Sequence, residues 1–356
     1  MKSYTHGGNI YTASKDKKIY DFSANINPLG VPRSVIEAAA KSLETCFNYP
    51  DPMCMELIKK LAIYENIKEE NLVCGNGAAD LIFRMVLALK PKCGLVNAPT
   101  FSEYENALRM VGSKVYYNYL KEEEDFKMSR AFIEKMDEID NLDMIFICNP
   151  NNPIGNLTER SLLIDILDKA KKKNVMVIVD ECFIGFTRME DEYSLKKFLD
   201  KYPNLIIMKA FTKNFAMAGF RLGYIMSSNI EVLDKVFACG QPWSVSTPAQ
   251  AGGIAALDEK EYFNKALDMI NQERIRLCNC LKEIGLKVFE PTANYIFFKT
   301  FKLDGKYLCD KMKEKGILIR NCGNYPGLND NYLRIAVRNP NENDYFIKTI
   351  KEVYHG

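Results

Sequence analysis

Short apolar runs alternate with segments of helical period over residues 71–224. The runs are NLVCG, KCGLVNA, DMIFICN, NVMVIVDE and NLIIMKA, and each predicts a buried strand. Between them, residues 80–89 and 158–173 carry apolar residues three or four positions apart, which predicts helices packed on those strands. This alternation predicts an α/β domain whose mostly parallel central sheet is covered on both faces.

The pattern changes towards the C-terminus. The run FRLGYIMSS follows NLIIMKA after too few residues for a crossover helix, so we expect an antiparallel strand there. After about Pro248, long amphipathic helices mix with alternating strands such as ANYIFFKT, GILIRN and YLRIAV, and the first forty-odd residues lack a core of their own. We predict a large α/β domain over residues 48–247 and a smaller α+β domain formed by residues 1–47 and 248–356.

The composition is that of a folded globular protein, with 356 residues of which 47% are apolar and 26% charged. The formal net charge is +2 and no basic tract could follow a phosphate backbone, so we expect no nucleic-acid partner. No stretch reaches the roughly 20 apolar residues of a membrane span, and the opening MKSYTHGGN has no apolar signal core. We therefore expect a cytoplasmic protein without a membrane partner.

The cysteine and histidine content limits the kinds of active site that the chain could form. Eleven cysteines without paired spacing favour free thiols in a reducing compartment, and the spacings of a zinc site are missing, so we expect no metal. The two histidines, His6 and His355, stand near opposite ends of the chain, which disfavours a hydrolase triad. Proton transfer is therefore expected to depend on lysine, tyrosine or a cofactor.

Polar residues follow four of the predicted strands, at the sheet edge where open parallel sheets bind ligands. These are GNGAA at 75–79, NPNNPIG at 149–155, Asp180 after VMVIV, and Lys213 shortly after NLIIM. The glycine-rich turn can direct helix N-terminal N–H groups at an anion. It matches neither GxGxxG nor the GK[ST] of a P-loop, so neither a dinucleotide nor ATP is favoured.

Each feature alone has a structural alternative. The glycine turn could be purely structural, Asp180 could cap a helix or pair with an arginine, and Lys213 could be a solvated surface charge. However, uncharged residues flank Lys213 up to Arg221 in FTKNFAMAGFRLGY, which indicates a buried amine able to form an imine. A buried carboxylate, such an amine, an anion cradle and an arginine are together what pyridoxal 5'-phosphate (PLP) requires.

Six motifs in order, GNGAA, PTFSEY, NPNNPIG, VIVDE, FTKNFAMAGFRLGY and LRIAVR, resemble the fold-type I, aspartate-aminotransferase-like superfamily of PLP enzymes along essentially the whole chain. The most similar branch contains histidinol-phosphate aminotransferases and the threonine-phosphate decarboxylases of cobalamin biosynthesis. HGGN, DFSANINPLG and NYPDP are similar to the decarboxylases more than to the aminotransferases. The resemblance implies decarboxylation of L-threonine O-3-phosphate to (R)-1-amino-2-propanol O-2-phosphate, with O-phospho-L-serine a further substrate.

The resemblance also implies roles at the cofactor. Lys213 would bind PLP covalently, and Asp180 would pair with the ring nitrogen. The other residues implied to contact PLP are Asn152 at the ring 3-oxygen, Phe101 stacked on the ring, and Gly77, Ala78, Thr212, Arg221 and a neighbouring subunit's Tyr49 at the phosphate. Because Tyr49 would come from a neighbouring subunit, the resemblance also implies a homodimer with shared active sites.

At the substrate, the resemblance implies that Arg334 grips the α-carboxylate, for which its planar fork is suited. Arg320, His6 and Asn27 match positions near the substrate carboxylate or phosphate. Two alternatives stay open: transamination of the histidinol-phosphate type with 2-oxoglutarate, and a noncatalytic ligand sensor on the same fold.

Two residues depart from the pattern of the resembling family. Phe183 stands where transaminating members commonly have tyrosine, which argues against efficient transamination but not against cofactor binding. Ala210 replaces a frequent serine or threonine and removes one phosphate donor.

Overall fold

The computed structural model describes residues 6–12 and 18–355. The other residues lie outside that description, and with them the start of the segment MKSYTHGGN. The strands are β1 (Tyr20–Asp21), β2 (Leu72–Gly75), β3 (Cys93–Ala98), β4 (Lys114–Tyr119), β5 (Met144–Cys148), β6 (Met176–Asp180), β7 (Leu205–Ala210), β8 (Gly223–Met226), β9 (Lys287–Val288), β10 (Tyr295–Lys299), β11 (Ile317–Leu318), β12 (Arg320–Asn321) and β13 (Tyr332–Ala336).

The α-helices alternate with these strands in the first two thirds of the chain. They are α1 (Arg33–Ser42), α2 (Met55–Glu65), α3 (Ala78–Leu89), α4 (Glu103–Met110), α5 (Ala131–Asp137), α6 (Arg160–Lys172), α7 (Glu190–Tyr193), α8 (Phe211–Asn214), α9 (Ile230–Ala238), α10 (Thr247–Ala256), α11 (Lys260–Glu283), α12 (Gly305–Glu314) and α13 (Pro340–His355).

A seven-stranded sheet in the order β2-β8-β7-β6-β5-β3-β4 forms the larger layer. Strand β8 is antiparallel to both of its neighbours, and the remaining pairings are parallel. The predicted α/β class and the antiparallel strand in FRLGYIMSS are thus confirmed. The apolar pattern did not indicate the edge strand β4, whose sequence KVYYNY is only partly buried.

Helix α6 shows how the apolar pattern builds the layers. Its buried residues recur every three or four positions: Leu162, Leu163, Ile166, Leu167 and Ala170. They join the same apolar cluster as residues of the central strands β5, β6 and β7. Each large aliphatic side chain buried in this way contributes about 1.5 to 3 kcal/mol, so this face fixes the helix on the sheet.

A second sheet, in the order β12-β13-β10-β9, is antiparallel throughout. Residues of α11, α12 and α13 pack with it in a separate apolar cluster. In the pairing of β12 with β13, Arg320 lies directly opposite Arg334. Since opposed residues of paired strands project to one face, the two arginines share a face of this sheet.

The N-terminal segment contacts both layers. Strand β1 pairs in parallel with β11, and the Phe22 carbonyl accepts a hydrogen bond of 2.7 Å from the N–H of Ala336. Helix α1 instead packs on α10, and Val35 and Ala249 from these helices belong to the apolar cluster of the large sheet. The boundaries at residues 48 and 248 stay a prediction.

One carboxylate connects the two sheets electrostatically. Glu122, shortly after β4, accepts hydrogen bonds from Lys287 (3.1 Å) and Lys299 (2.8 Å) of the small sheet and from the Tyr332 hydroxyl. Burial opposes ionisation, but the hydrogen bonds from Lys299, Tyr332 and Lys287 outweigh it and lower the pKa of Glu122 to about 2.

Among the described residues, no helix is long and apolar enough to cross a bilayer. Over the same parts of the chain, no cluster of three or more His, Cys, Asp or Glu side chains is placed to hold a metal ion.

Candidate active site

Asp180 and Lys213 lie together at the carboxyl ends of the central strands. Asp180 ends β6, and Lys213 lies in α8, the single turn that follows β7. Burial lowers the pKa of the Lys213 amine to about 8, helped by the positive charges of Arg334 and Arg221 and opposed by the charge of Asp180. The sequence therefore folds to bring the predicted amine, carboxylate and arginines within electrostatic reach of one another.

Aromatic rings form one wall beside the amine. The Lys213 Nζ lies 5.4 Å from the ring centroid of Phe183, and that ring meets Tyr295 edge-on at 5.0 Å. The guanidinium of Arg334 lies 5.6 Å from the Tyr295 ring centroid. At position 183 this wall is apolar, because Phe183 contributes no hydroxyl.

Asp180 is only 7% exposed, and both of its carboxylate oxygens accept hydrogen bonds. The Tyr104 hydroxyl donates to Oδ2 over 2.6 Å, and the backbone N–H of Cys182 donates to Oδ1 over 2.9 Å. Burial and the charge of Asp180 hold the pKa of Tyr104 well above its usual value, so the hydroxyl keeps its proton. Sequence reasoning assigned no role to Tyr104, although the motif PTFSEY contains it one helical turn after Phe101.

Gly77 and Ala78 lie at the turn where the sequence predicts an anion cradle. Gly77 has a φ of +84°, and a Cβ added to it would lie 2.5 Å from Nη2 of Arg221. No side chain caps α3, which begins at Ala78, so its first N–H groups and Arg221 face a common space. Such a space suits a phosphate group. Thr212, half-buried in the turn after β7, belongs to the same edge of the sheet.

Arg334 is 5% exposed and tightly held. It donates from Nη1 to Oδ1 of Asn152 and from Nη2 to the carbonyl of Ser23 over 2.8 Å, and its buried Nε has no protein partner. The amide of Asn152, 8% exposed, is thereby oriented by Arg334. An unpaired N–H on a buried guanidinium is what a carboxylate ligand would satisfy.

Arg320, opposite Arg334, is less buried. It donates from Nη1 to the Asn321 carbonyl and from Nη2 to Oδ1 of Asn324, both over 2.7 Å. Its guanidinium lies 5.3 Å from the ring centroid of Tyr325. These contacts orient the guanidinium without neutralising its charge.

Asn27 is buried against the turn that carries Lys213. Its Nδ2 donates to the carbonyl of Asn214 over 2.7 Å, its Oδ1 accepts from the N–H of Leu29, and its own N–H donates to the Lys213 carbonyl. The amide therefore braces the turn that carries Lys213, and its part in substrate binding stays a prediction. Asn25, two residues earlier, is 2% exposed and has a buried Oδ1 without a protein partner, which makes it a further candidate for a polar contact.

His6 and Phe101 lie side by side. The His6 Nε2 is 2.8 Å from a carboxylate oxygen of Glu103, and its ring centroid is 5.8 Å from that of Phe101. Phe101 is half-buried and meets Tyr104 edge-on at 5.6 Å. The N-terminal HGGN segment thus lies next to the residue that the resemblance implies for ring stacking.

Tyr49 lies at the surface, where its side chain is 78% exposed. Its ring stacks on that of Trp243 with centroids 4.3 Å apart. Such an exposed aromatic pair is unusual for a monomer and typical of an interface.

The chain belongs to the aminotransferase class I and II family, whose model matches residues 17–350. Among similar proteins, a threonine-phosphate decarboxylase from Salmonella typhimurium is 33% identical, over 99% of this chain and 97% of that protein. A histidinol-phosphate aminotransferase from Methanocaldococcus jannaschii is 28% identical, over 95% and 90% of the two chains. The solved histidinol-phosphate aminotransferase of Clostridium acetobutylicum has a TM-score of 0.87 and 32% identity, covering 94% of this chain and 98% of that one.

Membership of this family makes the chain a PLP-dependent enzyme. The residues present fit that cofactor, because a glycine-lined cradle beside Arg221, an amine of lowered pKa at Lys213 and the buried carboxylate of Asp180 occupy one sheet edge. Gly77, Ala78, Thr212 and Arg221 would hold its phosphate, and Asp180 its ring nitrogen. When bound, PLP supplies an electron-accepting ring next to the substrate Cα.

Proposed function

We propose that this enzyme is a carboxy-lyase that decarboxylates L-threonine O-3-phosphate to (R)-1-amino-2-propanol O-2-phosphate in cobalamin biosynthesis. Two arginines in direct register carry the proposal: the positive charge of Arg334 lowers the pKa of Lys213, and Arg320 lies opposite Arg334. A substrate that bears both a carboxylate and a phosphate is complementary to this pair of cations. The similarity to the Salmonella decarboxylase over almost the whole chain supports the same choice.

Each residue then has a task that its surroundings favour. Arg334, held by Asn152 and Ser23, offers its free Nε–H to the α-carboxylate. Arg320 balances the phosphate charge from the same face of the sheet. The amine of Lys213, with a pKa near 8, has a substantial neutral fraction at physiological pH and can act as a nucleophile.

Phe183 supports decarboxylation over transamination. Its ring occupies the wall beside the Lys213 amine and provides no hydroxyl there. An aminotransferase must take a proton from the substrate Cα and return one to a different carbon, whereas a decarboxylase releases carbon dioxide from Cα and delivers a single proton in its place.

The experiment is an incubation of the purified protein and PLP with L-threonine O-3-phosphate. We expect carbon dioxide release in step with formation of aminopropanol phosphate, measured by mass spectrometry, and O-phospho-L-serine tests the tolerance for the missing methyl group. The Lys213→Ala variant should give neither product nor the visible absorption band of bound cofactor, and the exposed Lys172→Ala variant should behave as wild type. Product formation by Lys213→Ala would contradict the assignment of the lysine.

Transamination is the second candidate, because the Clostridium aminotransferase has both a high TM-score and 32% identity. Histidinol phosphate offers a phosphate but no carboxylate, so it would leave Arg334 without its anion. Transfer of its amino group to 2-oxoglutarate, in the absence of any carbon dioxide release from phosphothreonine, would establish this function in place of decarboxylation.

We also propose that the enzyme is a homodimer in which Tyr49 reaches the phosphate of the neighbouring site. The exposed Tyr49 and Trp243 stack, and Leu43, Phe47 and Met53 are also exposed large apolar side chains. Sedimentation of the holoenzyme should give twice the mass of the chain, and a monomer at micromolar concentration would contradict shared sites.

A further inference from the structure

Tyr104 and Asp180 are joined by a buried hydrogen bond in the middle of the site. The Tyr104 hydroxyl donates to one carboxylate oxygen over 2.6 Å, and the Cys182 N–H donates to the other over 2.9 Å. Tyr104 has no exposed surface and Asp180 is 7% exposed. Because donors from two parts of the chain hold both oxygens, the plane of the carboxylate is fixed.

The ring of Tyr104 is itself fixed on two sides. It stacks on Phe146 of β5, with centroids 5.0 Å apart and planes inclined by 7°. It also meets Phe101 edge-on, at 5.6 Å and 78°. Tyr104 therefore connects the residue implied to stack on the cofactor ring with the carboxylate implied to meet the ring nitrogen.

We propose that Tyr104 is a positioning residue that keeps the Asp180 carboxylate turned towards the ring nitrogen, an inference that rests on the proposed PLP-dependent function. Tyr104 acts only through Asp180. A neutral hydroxyl suits this task, because it holds one carboxylate oxygen by a hydrogen bond without supplying a cation that would compete with the protonated ring nitrogen for the negative charge.

The test compares Tyr104→Phe with the wild-type holoenzyme in two measurements that do not depend on turnover. The first is the Kd for PLP, titrated into the apoprotein, which we expect to rise about tenfold, as for a lost hydrogen bond to a charged group. The second is the pH midpoint of the visible absorption band. A protonated ring nitrogen disfavours a second positive charge at the linkage to Lys213, so loosening Asp180 should raise that midpoint.

A double-mutant cycle separates action through Asp180 from a general effect. Asp180→Asn should raise the midpoint more than Tyr104→Phe, and adding Tyr104→Phe to Asp180→Asn should change neither measurement further. Tyr202→Phe is the matched control, because Tyr202 is also fully buried and donates to a carboxylate, Asp168, over 2.8 Å. It should lower the melting temperature of the apoprotein and leave both cofactor measurements unchanged.

Three outcomes would overturn the proposal: unchanged Kd and midpoint in Tyr104→Phe, additive effects in the double variant, or a lowered melting temperature alone, as in Tyr202→Phe. A wild-type protein that binds PLP but releases no carbon dioxide from phosphothreonine would overturn only the proposed reaction, since both cofactor measurements would still decide the part played by Tyr104. A wild-type protein that takes up no PLP would overturn both.

Discussion

Arg320 and Arg334 lie directly opposite each other on neighbouring antiparallel strands and so present two positive charges on one face of the small sheet. Like charges in this position destabilise a sheet by a fraction of a kcal/mol or more. The protein retains the pair nonetheless, and orients the two guanidiniums through Asn324, Asn152 and Ser23. Such an arrangement suits a ligand with two anionic groups, as the proposed substrate has.

Substitutions of the two arginines should affect different kinetic constants. Arg334→Lys loses the planar fork and should lower kcat/KM by at least about thirtyfold, or about 2 kcal/mol, because the buried contacts to Asn152 and Ser23 cannot be remade. Arg320→Gln should mainly raise KM for the phosphorylated substrate, by about tenfold. Arg338→Gln, which removes a surface pair with Glu342, is the control. Equal effects of all three changes would contradict a divided role.

The lowered pKa of Lys213 predicts how cofactor uptake depends on pH. Only the neutral amine reacts, so covalent attachment of PLP to the apoprotein should speed up as the pH rises through about 8. Arg334→Gln removes one of the positive charges that lower this pKa, so the midpoint should move to higher pH. Stopped-flow absorbance across the pH range measures both curves, and a midpoint unaffected by the substitution would contradict the electrostatic coupling.

Gly77→Ala should weaken cofactor binding by more than tenfold. The new Cβ would lie 2.5 Å from the Arg221 guanidinium, and the φ of +84° disfavours any side chain. Gly112→Ala is a matched control, because Gly112 has a φ of +79° with no atom within 4 Å of the added Cβ. It should cost about 1 kcal/mol of stability and leave the Kd for PLP unchanged. Equal Kd values for both variants would place the phosphate elsewhere.

Tyr49→Phe should weaken retention of PLP without altering the fold of the chain. Removing a hydroxyl from a side chain that is 78% exposed changes little within one subunit, so any loss of cofactor must come from contact with a neighbour. Gel filtration followed by cofactor absorbance measures the retained fraction. Tyr307→Phe, also exposed, should retain PLP as wild type does, and unchanged retention in Tyr49→Phe would count against a shared site.

At acidic pH, the ion pairs through which Glu122 connects the two sheets should be lost. The pKa of Glu122 is lowered to about 2 from an unfolded value of 4.5, so its contribution to stability is complete above 4.5 and disappears as the pH falls towards 2. Glu122→Gln should cost about 1 to 2 kcal/mol at pH 7, with allowance for screening, and should flatten the acid branch of the stability curve. Glu124→Gln, on the same turn and exposed, should leave that branch steep. Urea unfolding at several pH values measures the difference.

The apolar pattern was sufficient for the core strands and their helices because burial alone dictates them. The runs that form β5, β6 and β7 are buried along nearly their full length, so their continuous apolar sequences predict them directly. The positions of Asp180 and Lys213 followed, since they stand where those strands end. Edge strand β4 was missed because its outer side is exposed and its sequence is polar.

Contacts between distant segments were beyond prediction from sequence. Nothing local in GILIRN or LRIAVR reveals that Arg320 and Arg334 are opposed, since that register depends on how two strands pair. The distinction between Asn25 and Asn27 likewise depends on Asn214, almost two hundred residues later. The only signal for Tyr104 in the sequence is its position three residues after Phe101. That its hydroxyl is buried and donates to Asp180 is seen only in the folded chain.

The N-terminal segment around Ser23 and Asn27 holds Arg334 at one end and the backbone beside Lys213 at the other. This short stretch consequently links Arg334, which we propose binds the substrate carboxylate, to the turn that carries Lys213. A shift of the small sheet at Arg334 would reach the turn that carries Lys213 through the bent, hydrogen-bonded stretch from Ser23 to Asn27. Shortening or loosening that stretch would therefore uncouple substrate capture from chemistry even if every catalytic side chain were left intact.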